Sequence, residues 1–379
     1  MKTAFRLFGV IIGILVIFSM SILPDSSPKA MANLPPEPPV IDDPNEEPIS
    51  SKSAPSWVWA SKPWTEEEMA AAKPYPLPEN AMDSRMVSPV GPSPEVSTHP
   101  GLVTFPGSLP EGEGGALSPT AGNDLFSMPD PTASQGYGYP APYTRYTQYG
   151  KYKSVFPNKA IGVLYFVQNG QPYRCSAAAI GPYAIWTAGH CVHDGSGSDQ
   201  GWSYYVMFVP AYDGKKIPSS NKWDSPPGHL WSLNGWIYDR NLAYDMGGAI
   251  LERHGSKGIG QKTGWLGFAY RPDSWGYLAE RHWFAIGYPA VYPYDGTKQA
   301  ICAASHAYSN TTLTPAPMAI GCDQTGGTSG GPWILGYGTY YLLNGNMSHR
   351  RNGYDQEVFS PYFGDGANNL FLALVNDYP

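Results

Sequence analysis

The sequence predicts an all-β fold of sandwich or barrel type, on three observations. From Lys159 onward the chain reads as short strand-like runs broken by Gly, Pro, Asn and Asp; no long helical period intervenes; and the stretch patterned this way is roughly 230 residues, room for two small barrels.

The expected strands are, in order, 160–167, 184–187, 204–209, 246–251, 283–286, 318–321 and 340–344. Each is bounded by turn-forming residues, which is how a chain signals strands rather than a longer buried helix. Only the C-terminus reads differently. Over 367–376 the apolar residues Leu370, Phe371, Leu374 and Val375 share one helical face, which predicts a closing helix.

What precedes the strands has another composition. Residues 33–145 are rich in Pro, Ser, Gly and Glu, with Leu34-Pro35-Pro36-Glu37-Pro38-Pro39 the extreme. Such a stretch lacks the apolar periodicity that offsets chain entropy, so extended or disordered structure is expected over most of it. The islands Trp57-Val58-Trp59 and Leu125-Phe126-Ser127-Met128 are expected to be anchors onto a folded neighbour. At the N-terminus Lys2 and Arg6 precede an apolar run from Leu7 to Leu23, and Ala30-Met31-Ala32 follows. This has the form of a secretory signal peptide cleaved after Ala32, the alternative being an uncleaved anchor. The expected organisation is therefore a signal peptide at 1–32, a Pro-rich acidic prosegment at 33–145 and a folded domain at 146–379. That domain is expected to be secreted and extracellular, with no stable membrane insertion once the signal is removed.

Charge follows the same division. Residues 33–145 hold 5 basic and 15 acidic residues, net −10, whereas 146–379 hold 16 basic and 15 acidic, net +1. No basic stripe or Lys/Arg run points to nucleic acid. In an oxidising compartment four cysteines suggest disulfides, and the absence of a C-x-x-C pair or close His/Cys cluster argues against zinc. Three pairings are open to four cysteines, and spacing does not choose among them. The sequence offers no cofactor motif and no clear metal-ligand cluster.

The chemistry is concentrated in Gly326-Gly327-Thr328-Ser329-Gly330-Gly331-Pro332. Glycine pairs on either side of a serine leave its hydroxyl uncrowded on a sharp turn. Backbone N–H groups of Gly327 and Ser329 can then converge on one point, as stabilisation of a tetrahedral oxyanion requires. Serine is a poor nucleophile at its free pKa and needs a base. His190 is placed for this in Thr187-Ala188-Gly189-His190-Cys191, among small residues and after an apolar strand. A carboxylate in an apolar setting should orient the imidazole. Asp245, in Tyr244-Asp245-Met246-Gly247-Gly248-Ala249-Ile250-Leu251, lies at the mouth of a buried-looking strand, whereas the other candidate aspartates sit in polar turns.

These three motifs together resemble the signatures of the trypsin-like, chymotrypsin-fold serine peptidases, and more closely the secreted bacterial members related to the glutamyl endopeptidases. Tyr173-Arg174-Cys175-Ser176-Ala177-Ala178, Val206-Met207-Phe208-Val209-Pro210-Ala211-Tyr212 and Ser360-Pro361-Tyr362-Phe363-Gly364 support the likeness, which covers roughly residues 155–379. The resemblance implies two antiparallel β-barrels with the active site between them. It implies Ser329 as nucleophile, His190 as general base and Asp245 as orienting carboxylate, acting on protein or peptide substrates through an acyl-enzyme. It also supports pairing Cys175 with Cys191, bracing the histidine loop; Cys302 with Cys322 would tether the approach to the serine.

Departures from the family pattern matter as well. The residue before the nucleophile is Thr328, where the animal digestive members carry an aspartate that pairs with a new N-terminal amine. Activation is therefore expected to unblock the cleft, making the chain's own prosegment a partner. Specificity is divided. Asp323, six residues before Ser329, suggests a basic substrate side chain, while His349 and Arg350, which follow the pocket candidate Ser348 on the strand expected to line the pocket, suggest an acidic one. Met347 stands where glutamyl-specific members carry a histidine. The competing functional class is a non-catalytic extracellular binding protein on the same scaffold.

Overall fold

The computed structural model describes residues 47–56, 64–80, 87–88, 103–113, 116–117, 139–148, 150–270 and 281–379. The expected signal peptide and both apolar islands lie outside the described residues. Two antiparallel β-barrels and a C-terminal helix make up the fold. The first sheet runs Ser51–Ser53, Leu230–Leu233, Gly247–Ile250, Ala184–Thr187, Gln171–Ala179, Ile161–Gln168, Tyr204–Pro210 and Trp223–Asp224, each antiparallel to the next. The second runs Glu357–Ser360, Met318–Gly321, Ala300–Asn310, His282–Gly287, Pro332–Leu335, Leu342–Asn346, Gly267–Tyr270 and Val103–Phe105. Only the pairing of Gly267–Tyr270 with Leu342–Asn346 along that path is parallel.

Each sheet curls round its own side chains. Leu164, Ala177, Ile185 and Phe208 share one buried face of the first sheet, Trp186 on its other face packs against Phe268 and Phe363, and Trp283, Ile320, Trp333 and Val358 fill the second barrel. The helix Asp365–Asn376 lays Leu370, Phe371 and Leu374 on this core, Phe371 stacking on Phe268 with ring centroids 4.2 Å apart. All seven strands expected from the sequence are present within one or two residues at each end. Those not anticipated include short apolar strands, Leu230–Leu233, Gly267–Tyr270 and Pro332–Leu335, as well as less apolar ones. Ala300–Asn310, largely alanine, serine and other small or polar residues, is a strand because two barrel strands and two leader segments pair along it, not because its side chains favour one.

Parts of the leader are held against the barrels. Among its described residues, short segments complete the sheets instead of lying apart as unstructured chain. Ser51–Ser53 extends the first sheet, Lys73–Pro74 pairs with Gln171–Ala179, Val103–Phe105 extends the second sheet, and Thr144–Thr147 pairs with Ala300–Asn310. Glu66–Ala71 forms a helical turn closed by a reciprocal capping box between Thr65 and Glu68. The physical reason is that sheet edges present unpaired N–H and C=O groups, which an extended, low-hydrophobicity segment can satisfy without a core of its own. Its anchors are single residues: Trp64, Met69, Ala72 and Leu77 are all buried. Acidic leader residues also meet basic ones of the barrels, as in Glu113 with Lys159 and Glu111 with Lys257.

Cys175 bonds to Cys191 and Cys302 to Cys322, with sequence separations of 16 and 20. Removing the first by the double substitution Cys175→Ala and Cys191→Ala is expected to cost about 3 kcal/mol in denaturant unfolding, the chain entropy returned to a loop of this length.

Candidate active site

His190 sits on a single helical turn, Gly189–Val192, that starts where the strand Ala184–Thr187 ends. The Cys175–Cys191 bond holds the turn to the neighbouring strand, and the Gln168 side-chain amide donates to the His190 carbonyl at 3.2 Å. Cys175, His190 and Cys191 also form a cluster with metal-ligand chemistry, but both sulfurs belong to the disulfide and neither is a thiolate.

Asp245 caps a short 3-10 turn, Leu242–Tyr244, just before the strand Gly247–Ile250, and is fully buried. Its Oδ1 accepts the His190 backbone N–H at 2.8 Å and its Oδ2 accepts His190 Nδ1–H, also at 2.8 Å. Ser348 Oγ donates to Oδ2 at 2.6 Å. Because that hydroxyl hydrogen is committed to the carboxylate, His349 Nδ1–H is the donor in its 2.9 Å contact with Ser348 Oγ. Burial pushes the Asp245 carboxyl up, yet the charge of His190 and the hydrogen bonds from His190 and Ser348 outweigh it and hold it below the usual carboxylate range. An ionised Asp245 can only accept, so Nε2 of His190 is left facing away from it as a proton acceptor.

Ser329 lies on the turn between Met318–Gly321 and Pro332–Leu335, and its carbonyl accepts Ser176 N–H at 2.7 Å, joining the turn to the first barrel. Gly327 and Gly330 have φ of +92° and +78°, and a Cβ at Gly330 would lie 2.0 Å from Thr187 Oγ1. Glycine there is a condition for the serine turn to approach the histidine loop. Thr328 Oγ1 donates to Gln324 Oε1, and the Gln324 amide donates to the carbonyls of Ala285 and Ala300 at 3.0 and 2.9 Å. The turn is thus braced by neutral hydrogen bonds. Ser329 Oγ and His190 Nε2 are buried and find no hydrogen-bond partner among the described residues.

The expected pocket residues are placed differently from one another. Asp323 does not present a free carboxylate: it accepts from Arg145 at 2.6 Å and Tyr294 at 2.8 Å. Ser348 points into the Asp245 cluster, not toward a pocket. His349 is fully buried, stacked on Phe359 with centroids 4.8 Å apart, and burial lowers it to about 3, so it carries no charge at neutral pH. Arg350 donates to the Gln324 carbonyl, its Nε has no partner, and no carboxylate lies within ion-pairing distance among the described residues. The sequence reading missed Gln168, Gln324 and the part of Ser348 behind Asp245. Each acts through hydrogen bonds to residues distant in the chain, a signal that spacing does not contain. It also missed Tyr75, whose ring lies 5.0 Å from that of His190.

No protein-family model and no curated protein matches the chain. Among solved structures, a thermostable serine protease from an extremophilic microorganism matches with 29% identity and a TM-score of 0.51, over 58% of this chain and 98% of that one. The protease Anisep from Arthrobacter nicotinovorans matches with 25% identity and a TM-score of 0.52, over 59% of this chain and 99% of the other. A Glu endopeptidase matches with 16% identity and a TM-score of 0.48, over 64% and 100%, too remote to bear on specificity. The chain folds as a chymotrypsin-type serine protease does, which supports a protease role.

Ser348→Ala is expected to lower stability by about 1.5–3 kcal/mol in urea unfolding, since it removes a hydrogen bond to a buried charge and orphans His349 Nδ1. Acid should destabilise the fold through two buried histidines. His349 is lowered to about 3 and His306, also by burial, to about 4. As pH falls below the unfolded value near 6.5 the unfolded chain takes up these protons first, so stability is lost from there toward the folded values, on the order of 3 kcal/mol per histidine by pH 4. Asp224, raised to about 6 by burial and by Glu252, has the opposite sign and offsets part of this. Thermal unfolding at pH 7 and pH 4.5 should show a lower midpoint at the acid value, and His306→Phe should reduce the drop.

Proposed function

We propose that the protein is a secreted serine endopeptidase, made as a precursor, that hydrolyses peptide bonds with Ser329, His190 and Asp245. The observation that carries this reading is the continuous hydrogen-bonded line His349, Ser348, Asp245, His190, with the glycine-flanked Ser329 turn bonded to the strand beside it. Such a line sets the His190 tautomer so that Nε2 is the base. Ser329 Oγ attacks the substrate carbonyl while Nε2 takes its proton. The alkoxide is stabilised by Gly327 and Ser329 N–H, and Nε2 returns the proton to the leaving amine. Water then repeats the cycle on the acyl-enzyme. Asp245 stays ionised throughout, stabilising the imidazolium.

Thr328 offers no charge to a new N-terminus, and the neutral Thr328–Gln324 brace holds the serine turn with the leader still attached. Activation by this reading clears the cleft and needs no N-terminal ion pair. The region 33–145 is the prosegment in this scheme, and the domain proper begins near residue 146. For specificity the favoured substrate side chain is acidic. Arg350 is the pocket-side charge without a counter-ion among the described residues, whereas Asp323 is matched by Arg145.

Ser329→Ala and His190→Ala are each expected to reduce turnover on the order of 10⁶-fold in the processed protein. A peptide library digested beside Ser329→Ala should yield serine-dependent cuts after acidic residues, a pattern that Arg350→Gln weakens. A fully processed sample that makes no cuts and takes no fluorophosphonate label at Ser329 is a binding protein instead.

A further inference from the structure

The leader crosses the candidate active site as Lys73-Pro74-Tyr75-Pro76-Leu77-Pro78-Glu79-Asn80. Backbone bonds tie it to both barrels. Tyr75 N–H donates to the Arg174 carbonyl at 2.9 Å in the first; Arg350 N–H donates to Pro78 and Asn352 N–H to Asn80, both at 3.0 Å, in the second. Between these ties it contacts the groups assigned to chemistry. Gly327 N–H donates to the Tyr75 carbonyl at 2.9 Å. The Tyr75 ring lies over His190, and its hydroxyl donates at 2.8 Å to Gln168, the residue that holds the His190 carbonyl. Leu77 belongs to the same buried cluster as Met347, whose backbone is hydrogen-bonded to Gly330 and Gly331 next to Ser329.

We propose that residues 73–80 are a built-in inhibitor of this site: the Tyr75 carbonyl takes the oxyanion donor Gly327 N–H, its ring covers His190, and catalysis requires this strap to leave the cleft. The proposal rests on the peptidase reading and supplies its regulation. A carbonyl on Gly327 N–H is where a substrate carbonyl must go, so strap and substrate compete for one donor. The sequence of the strap explains why it is not simply consumed. The bond after the captured carbonyl is Tyr75–Pro76, whose nitrogen carries a ring carbon where an ordinary peptide carries hydrogen, and the ring restricts the residue before it. Prolines at 74, 76 and 78 also bring no N–H groups into the cleft to be left unsatisfied. They stiffen the free segment, so little ordering entropy is lost on docking.

The test uses the intact, uncut chain and two independent strap variants, Tyr75→Ala and Leu77→Ser, with Ser329→Ala as control. Fluorophosphonate labelling rate and thermal midpoint are measured on each. Wild type is expected to label slowly, and each variant that retains cooperative unfolding to label at least about tenfold faster, the gain expected when the competent fraction rises from a few per cent. Ser329→Ala should not label. Folded variants that label no faster than wild type overturn the strap while leaving the peptidase intact. If neither wild type nor variants label in any form, including after removal of the leader by added protease, the peptidase reading fails and the inhibitor with it.

Discussion

A fully buried carboxylate is the constraint on which the rest of the site depends. An ionised Asp245 in this interior is tolerable only if its lone pairs are occupied by well-aimed donors. The donors come from both barrels: His190 supplies its backbone and ring N–H from the first, Ser348 its hydroxyl from the second. Satisfying one charge therefore fixes the relative position of the two halves, sets the His190 tautomer and explains why Ser348 and His349 are buried polar residues. Asn346 reinforces the join, its amide reaching the Asp245 carbonyl at 3.3 Å while its oxygen accepts the Trp186 indole N–H at 3.1 Å.

The serine turn meets this arrangement through close backbone approach. Gly330 packs where any side chain would collide with Thr187 and Ser176, and the turn is stiffened by Thr328, Gln324 and the carbonyls they reach. A neutral brace of this kind needs no event elsewhere to form. That separates two things a precursor can control: whether the site is assembled, and whether it is accessible. In the proposed precursor the serine turn is already braced with the leader in place, which leaves access as the step to control.

The leader has no core to fold around, and it uses what the barrels leave open. Sheet edges take its short strands, isolated apolar side chains such as Trp64 and Leu77 find niches, and an acidic residue, Glu111, meets the exposed Lys257. Exposed ion pairs of that sort contribute little singly. Its hold is spread over many weak contacts, which suits the proposed strap, a segment that docks and is later released.

Local chemistry was enough to mark seven of the strands, the closing helix and, as candidates, the glycine-flanked serine, the histidine loop and the carboxylate, because turn residues, period and small neighbours are written within a few positions of each. Strands such as Ala300–Asn310 were not legible, since pairing along both edges and not side-chain preference makes them β. Nor were the states of Asp323, Ser348 and His349: a charge paired by Arg145, a hydroxyl turned to Asp245 and an imidazole neutralised by burial all depend on partners far away in the chain. The strap shows the division most plainly. Alternating prolines around Tyr75 read as extended, unstructured chain, and that local conformation is what they adopt. Only tertiary packing decided that the extended chain would lie over His190 and place a carbonyl on Gly327 N–H, because hydrogen bonds to a cleft are made with groups that the sequence holds roughly a hundred to two hundred and fifty residues apart.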